Sequence, residues 1–229
     1  MQSETLAALA AAGRDRRAAI LITALSSGQS RLVLASGDIA DDPLTAELAT
    51  RFRSGKSGVI ETKEGPMMLT VRLPRPRLVV IGAVHIAQAL APMAAIAGLD
   101  VTIIDPRTGF ASGERFGSVR LIADWPDLAL AGAPLDAFTA LAALTHDPKI
   151  DDAPLAAALA AGCFYVGALG SRKTHAKRLD RLAGLGLTAE ETARIRAPIG
   201  LAIGAQSPAE IAVAVLAEII AALRQEILA

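Results

Sequence analysis

Residues 78–107 read LVVIGAVHIAQALAPMAAIAGLDVTIIDPR, and this stretch limits the possible folds more than any other. A short apolar run ends at Gly82, a helical pattern follows, and a second apolar run ends at Asp105. Two strand-length apolar runs joined by a helix-length segment make a strand–helix–strand unit, in which the strands lie parallel and the helix covers one face. In the dinucleotide-binding form of that turn, the first glycine makes the bend. The second lets backbone approach a pyrophosphate, and the third position lets helix and strand pack closely. Gly82 and Ala87 serve the first and third roles. Val84 stands at the second, with a branched side chain where the phosphate would lie. Asp105 falls 23 residues after Gly82, where a ribose hydroxyl would be read. His85 opens the helix, where it either faces a ligand or is simply exposed. Because the bend needs its glycine for geometry alone, the stretch identifies a scaffold better than a ligand.

The rhythm continues beyond it. We expect strand 77–81, helix 84–97, strand 100–104, strand 118–122, a strand near 136–144, helix 151–161, strand 164–167 and helix 172–183. This alternation predicts an α/β fold: a Rossmann-like parallel sheet with helices on both faces. At Ser207-Pro208-Ala209-Glu210 a serine can cap, a proline can occupy the first turn, and a glutamate can close a capping box. Thr188 to Glu191 opens a shorter helix in the same way.

Leu73-Pro74-Arg75-Pro76-Arg77 carries two prolines in three residues, an extended connector. It divides a small α+β module over residues 1–73 from a Rossmann-like domain over 77–229. In the module, 18–25 and 31–36 read as one hairpin. A helix follows over 43–53, with Pro43 suited to its first turn. Residues 57–62 and 67–73 read as a second hairpin around Lys63-Glu64-Gly65-Pro66.

Composition narrows the class of function. Lys plus Arg equals Asp plus Glu at 23 each, so no overall charge favours nucleic acid or an acidic membrane. A single cysteine, Cys163, excludes a disulfide framework and a cysteine-rich metal site. It precedes a strand in apolar surroundings and reads as a buried, inert thiol. No metal site is expected. The start, MQSETLAALAAAGRDRR, lacks a basic segment before its apolar part and reads as a short helix, not a signal peptide. No run is long and apolar enough for a membrane span. The expected location is cytoplasmic.

Three further stretches carry candidate chemistry. Thr145, His146 and Asp147 follow an apolar run, at the strand end where open α/β sheets hold ligands. His146 can act as acid, base or ligand. Equally, Thr145 or Asp147 can cap the next helix while His146 packs. In Phe164–Lys173 a strand runs through glycines into a helix N-terminus, where Gly170, Ser171 and Arg172 would form an anion site. The alternative is a glycine-permitted turn followed by a basic, solvated face of Lys173, Lys177, Arg178 and Arg181. In Ala197–Ala205, Gly200 and Gly204 mark either close backbone approach or an irregular loop.

In this order, IGAVHIAQALAPMAAIAGLDVTIIDPR, LTHDPKIDDAPL, FYVGALGSRKT and APIGLAIGAQSPAEIAVAVLAEIIA resemble the XdhC/CoxI family of accessory proteins for molybdenum hydroxylases, over about residues 77–220. The resemblance implies a Rossmann-like C-terminal domain and a non-catalytic factor that binds molybdenum cofactor. It implies delivery of that cofactor, after sulfuration, to a hydroxylase of the xanthine dehydrogenase or carbon monoxide dehydrogenase type. Gly170, Ser171 and Arg172 would hold its phosphate, and His146 and Asp147 would orient the pterin. A cysteine desulfurase is an implied partner, and a homodimer is expected. The chain departs from the family at Val84, where G-A-G-H is usual. It also has no cysteine-bearing, glycine-rich segment in residues 1–73, so that module reads as shortened. Two other readings stay open: an NAD(P)-binding oxidoreductase built on Gly82, Ala87 and Asp105, and a partner-binding protein with a degenerate nucleotide site.

Overall fold

The computed structural model describes residues 3–37, 39–117 and 119–227. These fall into two compact units, one holding the described residues up to Pro74 together with those from Arg224 onward, the other Arg75–Leu223.

The first unit contains α1 (Ser3–Arg14), β1 (Ala19–Ala24), β2 (Ser30–Leu34), α2 (Thr45–Ser54), β3 (Gly58–Thr62) and β4 (Gly65–Arg72). Its strands form an antiparallel sheet in the order β2-β1-β4-β3. Ile20 pairs with Val33 and Val71, and Ile22 with Leu69, so alternate side chains share one face. That face is buried against Leu48 of α2. The helix expected over 43–53 begins at Thr45, after Leu44, so Pro43 precedes it. The preceding turn is tied down instead: the Asp42 carboxylate accepts from Leu44 N at 2.9 Å and pairs with Arg31 at 2.6 Å.

The second unit contains β5 (Arg77–Ile81), α3 (His85–Ile96), β6 (Asp100–Ile104), α4 (Gly113–Phe116), β7 (Arg120–Ile122), α5 (Pro126–Gly132), β8 (Thr139–Ala143), α6 (Pro148–Ala160), β9 (Tyr165–Ala168), α7 (Arg172–Gly184), α8 (Ala189–Thr192), β10 (Ile195–Arg196) and α9 (Pro208–Ala222). All its strand pairs are parallel, in the order β10-β9-β8-β5-β6-β7. This is the α/β class expected from the alternating pattern. One set of alternating strand residues, Val79, Ile81, Leu141, Ala143, Val166 and Ala168, packs on Leu155, Ala158 and Leu159 of α6 and Leu182 of α7. From the other side, Tyr165 donates to Glu218 of α9 at 2.7 Å. The chain leaves β5 toward β6 and β7, then returns to β8 on β5's other edge. That reversal opens a crevice at the C-terminal ends of β5 and β8.

Several boundaries differ from expectation. The strand expected over 118–122 runs from Arg120 to Ile122, and position 118 lies outside the described residues. The helix expected over 151–161 starts three residues earlier, at Pro148, because Asp147 caps it and proline fits the first turn. Both expected capping boxes, at Ser207 with Glu210 and at Thr188 with Glu191, are formed.

Candidate functional site

At the end of β5, Gly82 has φ +114°, a conformation L side chains rarely adopt. A Cβ there would also lie 2.7 Å from Thr145 Cγ2, so the turn after β5 sits directly on the end of β8. The next amide, Ala83 N, donates to Asp105 Oδ2 at 2.7 Å. Arg107 donates to the same carboxylate from Nη2 at 2.7 Å, and to Oδ1 from Nε and its own backbone N at 2.9 Å each. Asp105 is fully buried, and these bonds hold its carboxyl below the usual carboxylate range against the opposing effect of burial. A carboxylate has about four lone-pair positions, and here all are engaged, so Asp105 braces the turn and has nothing left for a ribose. Arg115 fills the neighbouring space, donating to Ala83 O at 2.9 Å and to Gln88 Oε1 at 3.0 Å. Val84 is the N-cap of α3, and His85 is exposed beside it.

The turn after β8 is built by its own side chains. Asp147 caps α6, accepting from Lys149 N at 3.0 Å. Thr145 Oγ1 accepts from Asp147 N at 3.1 Å and donates to Asp151 Oδ1 at 2.7 Å. Between them His146 holds φ +63°, unusual outside glycine and asparagine. This conformation leaves its ring exposed.

After β9, Gly170 has φ +135°, and a Cβ there would meet the Thr174 side chain at 3.1 Å and His146 Nδ1 at 3.8 Å. Ser171 caps α7, accepting from Thr174 N at 3.2 Å. Ser171 and Arg172 are both exposed.

A cavity of about 300 Å³ opens beside these turns, between α6 and α7. Its walls are His146, Asp151 and Asp152 on one side and Lys173, Lys177, Arg178 and Arg181 on the other. Arg181 is spent on Asp152, with contacts of 2.5 and 3.0 Å. Arg178 is 2% exposed and Asp151 1%. Arg178 Nη2 donates to Leu169 O at 2.9 Å, while Nε and Nη1 have no partner. Asp151 Oδ2 has none either. Among the described residues, the buried polar side-chain atoms without a partner are these three and His175 Nδ1, all on α6 and α7. Burial raises the Asp151 carboxyl to about 6, against the opposing pull of Thr145 and Arg178. Burial likewise lowers Arg178, with Asp151 and Asp152 acting the other way. A buried guanidinium with two of its three nitrogens unpartnered costs free energy that a bound anion would recover. A larger groove of about 1080 Å³, in the first unit, holds no such orphan among the described residues.

Of the residues expected at the site, Gly82 meets Thr145, and His146 meets Gly170, while Thr145 bridges Asp147 and Asp151. Of the residues expected from the sequence, His146 is on the cavity wall, beside Asp151, which was not expected; Ser171 and Arg172 are not on it. The face of Lys173, Lys177, Arg178 and Arg181 is not uniformly solvated, because Arg178 turns inward. Helical spacing carries that signal: His175, Arg178 and Leu182 fall on one stripe, as do Asp151, Leu155 and Ala158. Cys163 is buried, and burial pushes its thiol up to about 12. Among the described residues, no three His, Cys, Asp or Glu side chains are grouped to hold a metal ion, and no helix is long and apolar enough to cross a membrane.

Residues 78–219 match the family model described as the XdhC Rossmann domain. The chain is 38% identical over 146 residues to the molybdenum cofactor insertion chaperone PaoD of Escherichia coli K12, covering 64% of this chain and 40% of that protein. It is 33% identical over 148 residues to a probable xanthine dehydrogenase subunit of Bacillus subtilis 168, covering 64% and 43%. It is also 33% identical over 182 residues to the E. coli protein YqeB, covering 73% and 31%. The chain thus spans less than half the length of these curated relatives. A crystal structure of a xanthine dehydrogenase from Bacillus halodurans shares the fold, with a TM-score of 0.63 at 20% identity over 97% of this chain and 65% of that one.

Proposed function

The chain belongs to the XdhC family, and on that premise we propose that it is an accessory factor that holds molybdenum cofactor for insertion into a molybdenum hydroxylase. The observation that carries this reading is the buried Arg178, whose Nε and Nη1 are unpartnered on a cavity also lined by Lys173 and Lys177. The cofactor is cargo here and does no chemistry on this chain; it brings a phosphate and a pterin ring bearing N–H groups. The residues fit such a group. A planar guanidinium suits a phosphate, two lysines add positive charge at the mouth, and Asp151 Oδ2 is an acceptor. His146, held by its left-handed backbone beside Gly170, lines the same wall. Gly170, Ser171 and Arg172 contribute the adjoining helix N-terminus, where free amides favour negative charge. Asp147 and Thr145 hold the turn in place.

On the same reading the protein works as a cytoplasmic homodimer, meets a cysteine desulfurase during sulfuration, and pairs with its target hydroxylase. Purification from cells supplied with molybdate, followed by oxidation and fluorescence assay of released pterin, tests the core of the proposal. We expect pterin with the wild type and none with Arg178→Met. No pterin in the wild type, together with unchanged hydroxylase activity in a deletion strain, would remove it.

A further inference from the structure

We propose that the cavity between α6 and α7 selects a phosphate group that carries a proton, with Arg178 donating to its ionised oxygens and Asp151 Oδ2 accepting from its hydroxyl. The inference rests on the reading of this cavity as the ligand site and adds the chemical class it accepts. Donors and an acceptor are buried in the same cavity, and none has a hydrogen-bond partner among the described residues: Arg178 Nε and Nη1 on α7, and Asp151 Oδ2 on α6. They do not satisfy one another. Asp151 Oδ1 is committed to Thr145 and Arg178 Nη2 to Leu169, which fixes both side chains. Asp152, the neighbouring carboxylate, is neutralised by Arg181, so among the described residues Asp151 is the wall's carboxylate with an oxygen left unpaired.

A ligand that satisfies both ends must present ionised oxygens and one O–H. A phosphate monoester or inorganic phosphate does this by keeping one proton. Sulfate, fully ionised at neutral pH, would engage Arg178 but set a bare oxygen against Asp151. The proton is well matched: burial raises Asp151 to about 6, and the second ionisation of a phosphate monoester lies at about 6. At pH 7.5 Asp151, raised only to about 6, is ionised, so the shared proton has to arrive with the ligand, and sulfate has none to bring.

Titration calorimetry on the purified chain at pH 7.5, with inorganic phosphate and with sulfate at equal ionic strength, tests this directly and needs no variant. Phosphate should bind roughly ten- to a hundredfold more tightly, the cost of leaving a buried charged acceptor facing an anion. Asp151→Asn, with folding checked by circular dichroism, should erase the preference, because its amide donates to either anion. Lys177→Ala should weaken both anions alike and leave their ratio unchanged. Equal affinities in the wild type, no binding of either anion, or a preference that survives in Asp151→Asn would overturn the proposal. A protein that carries pterin yet binds the two anions equally loses this inference and keeps the cofactor reading. Phosphate selectivity without pterin does the reverse.

Discussion

Arg178 and Asp105 show how a buried charged residue can be either a brace or a binding group, depending on what already surrounds it. Asp105 is fully buried with its carboxylate saturated by Ala83 and Arg107. NAD or NADP at millimolar concentration should therefore leave the melting temperature unchanged, and Val84→Gly should not restore binding, since relieving the turn frees no lone pair on Asp105. A stabilising shift in either protein would contradict this, because a ligand that binds only the native state must raise its stability. Arg178 is the opposite case, buried with donors to spare. Arg178 makes one side-chain hydrogen bond, to Leu169 O, and no ion pair among the described residues, and an isolated buried charge is costly to hold, so an apolar side chain of similar length gives up little. Arg178→Met should stay within about 1–2 kcal/mol of wild-type stability by denaturant unfolding, yet lose measurable phosphate binding. His146 holds a left-handed backbone that costs a non-glycine residue about 1 kcal/mol. His146→Gly should leave stability unchanged or slightly higher while removing the ring from the cavity wall. A large loss of stability would show that the ring packs structurally.

The helices place these groups, and they are held at their N-termini. Asp147 caps α6 and Ser171 caps α7, the two walls of the cavity. Asp147→Ala and Ser171→Ala should each cost about 1 kcal/mol in denaturant unfolding, whereas Asp147→Ser should cost a few tenths. If Asp147→Ala abolished phosphate binding without changing stability, its role would be contact with ligand and not capping. At this scale much was legible. Serine, threonine and proline at helix starts have local effects, so the capping boxes at Ser207 and Thr188 could be read directly. The start of α2 was not, because Asp42 is drawn into a turn by Arg31, a partner on another element.

For the molecule as a whole, the same buried carboxylate links stability to pH. Asp151 titrates near 6 in the fold against 3.8 when solvated, so the fold binds its proton more tightly than the unfolded chain does. Its contribution to stability is fully present below 3.8 and is lost as pH rises through about 6. The difference in unfolding free energy between wild type and Asp151→Asn should therefore favour the wild type more at pH 5 than at pH 8, by on the order of 1–3 kcal/mol. A pH-independent difference would place Asp151 in contact with solvent. The sequence by itself determined the parallel α/β sheet. Apolar runs of strand length alternating with helix-period segments can bury both faces in few other ways, and Gly82 marks the bend from pattern alone. Tertiary structure alone decided which polar residues are spare. Arg107 lies only two residues from Asp105, but the Ala83 amide that completes its saturation comes from another strand's turn. Arg178 looks like one more cation on a basic helix until α7 packs against α6 and excludes water from it. Desolvation depends on neighbours far away in sequence, so helical spacing could place Arg178 on an inward stripe but could not show that its donors are left unpaired.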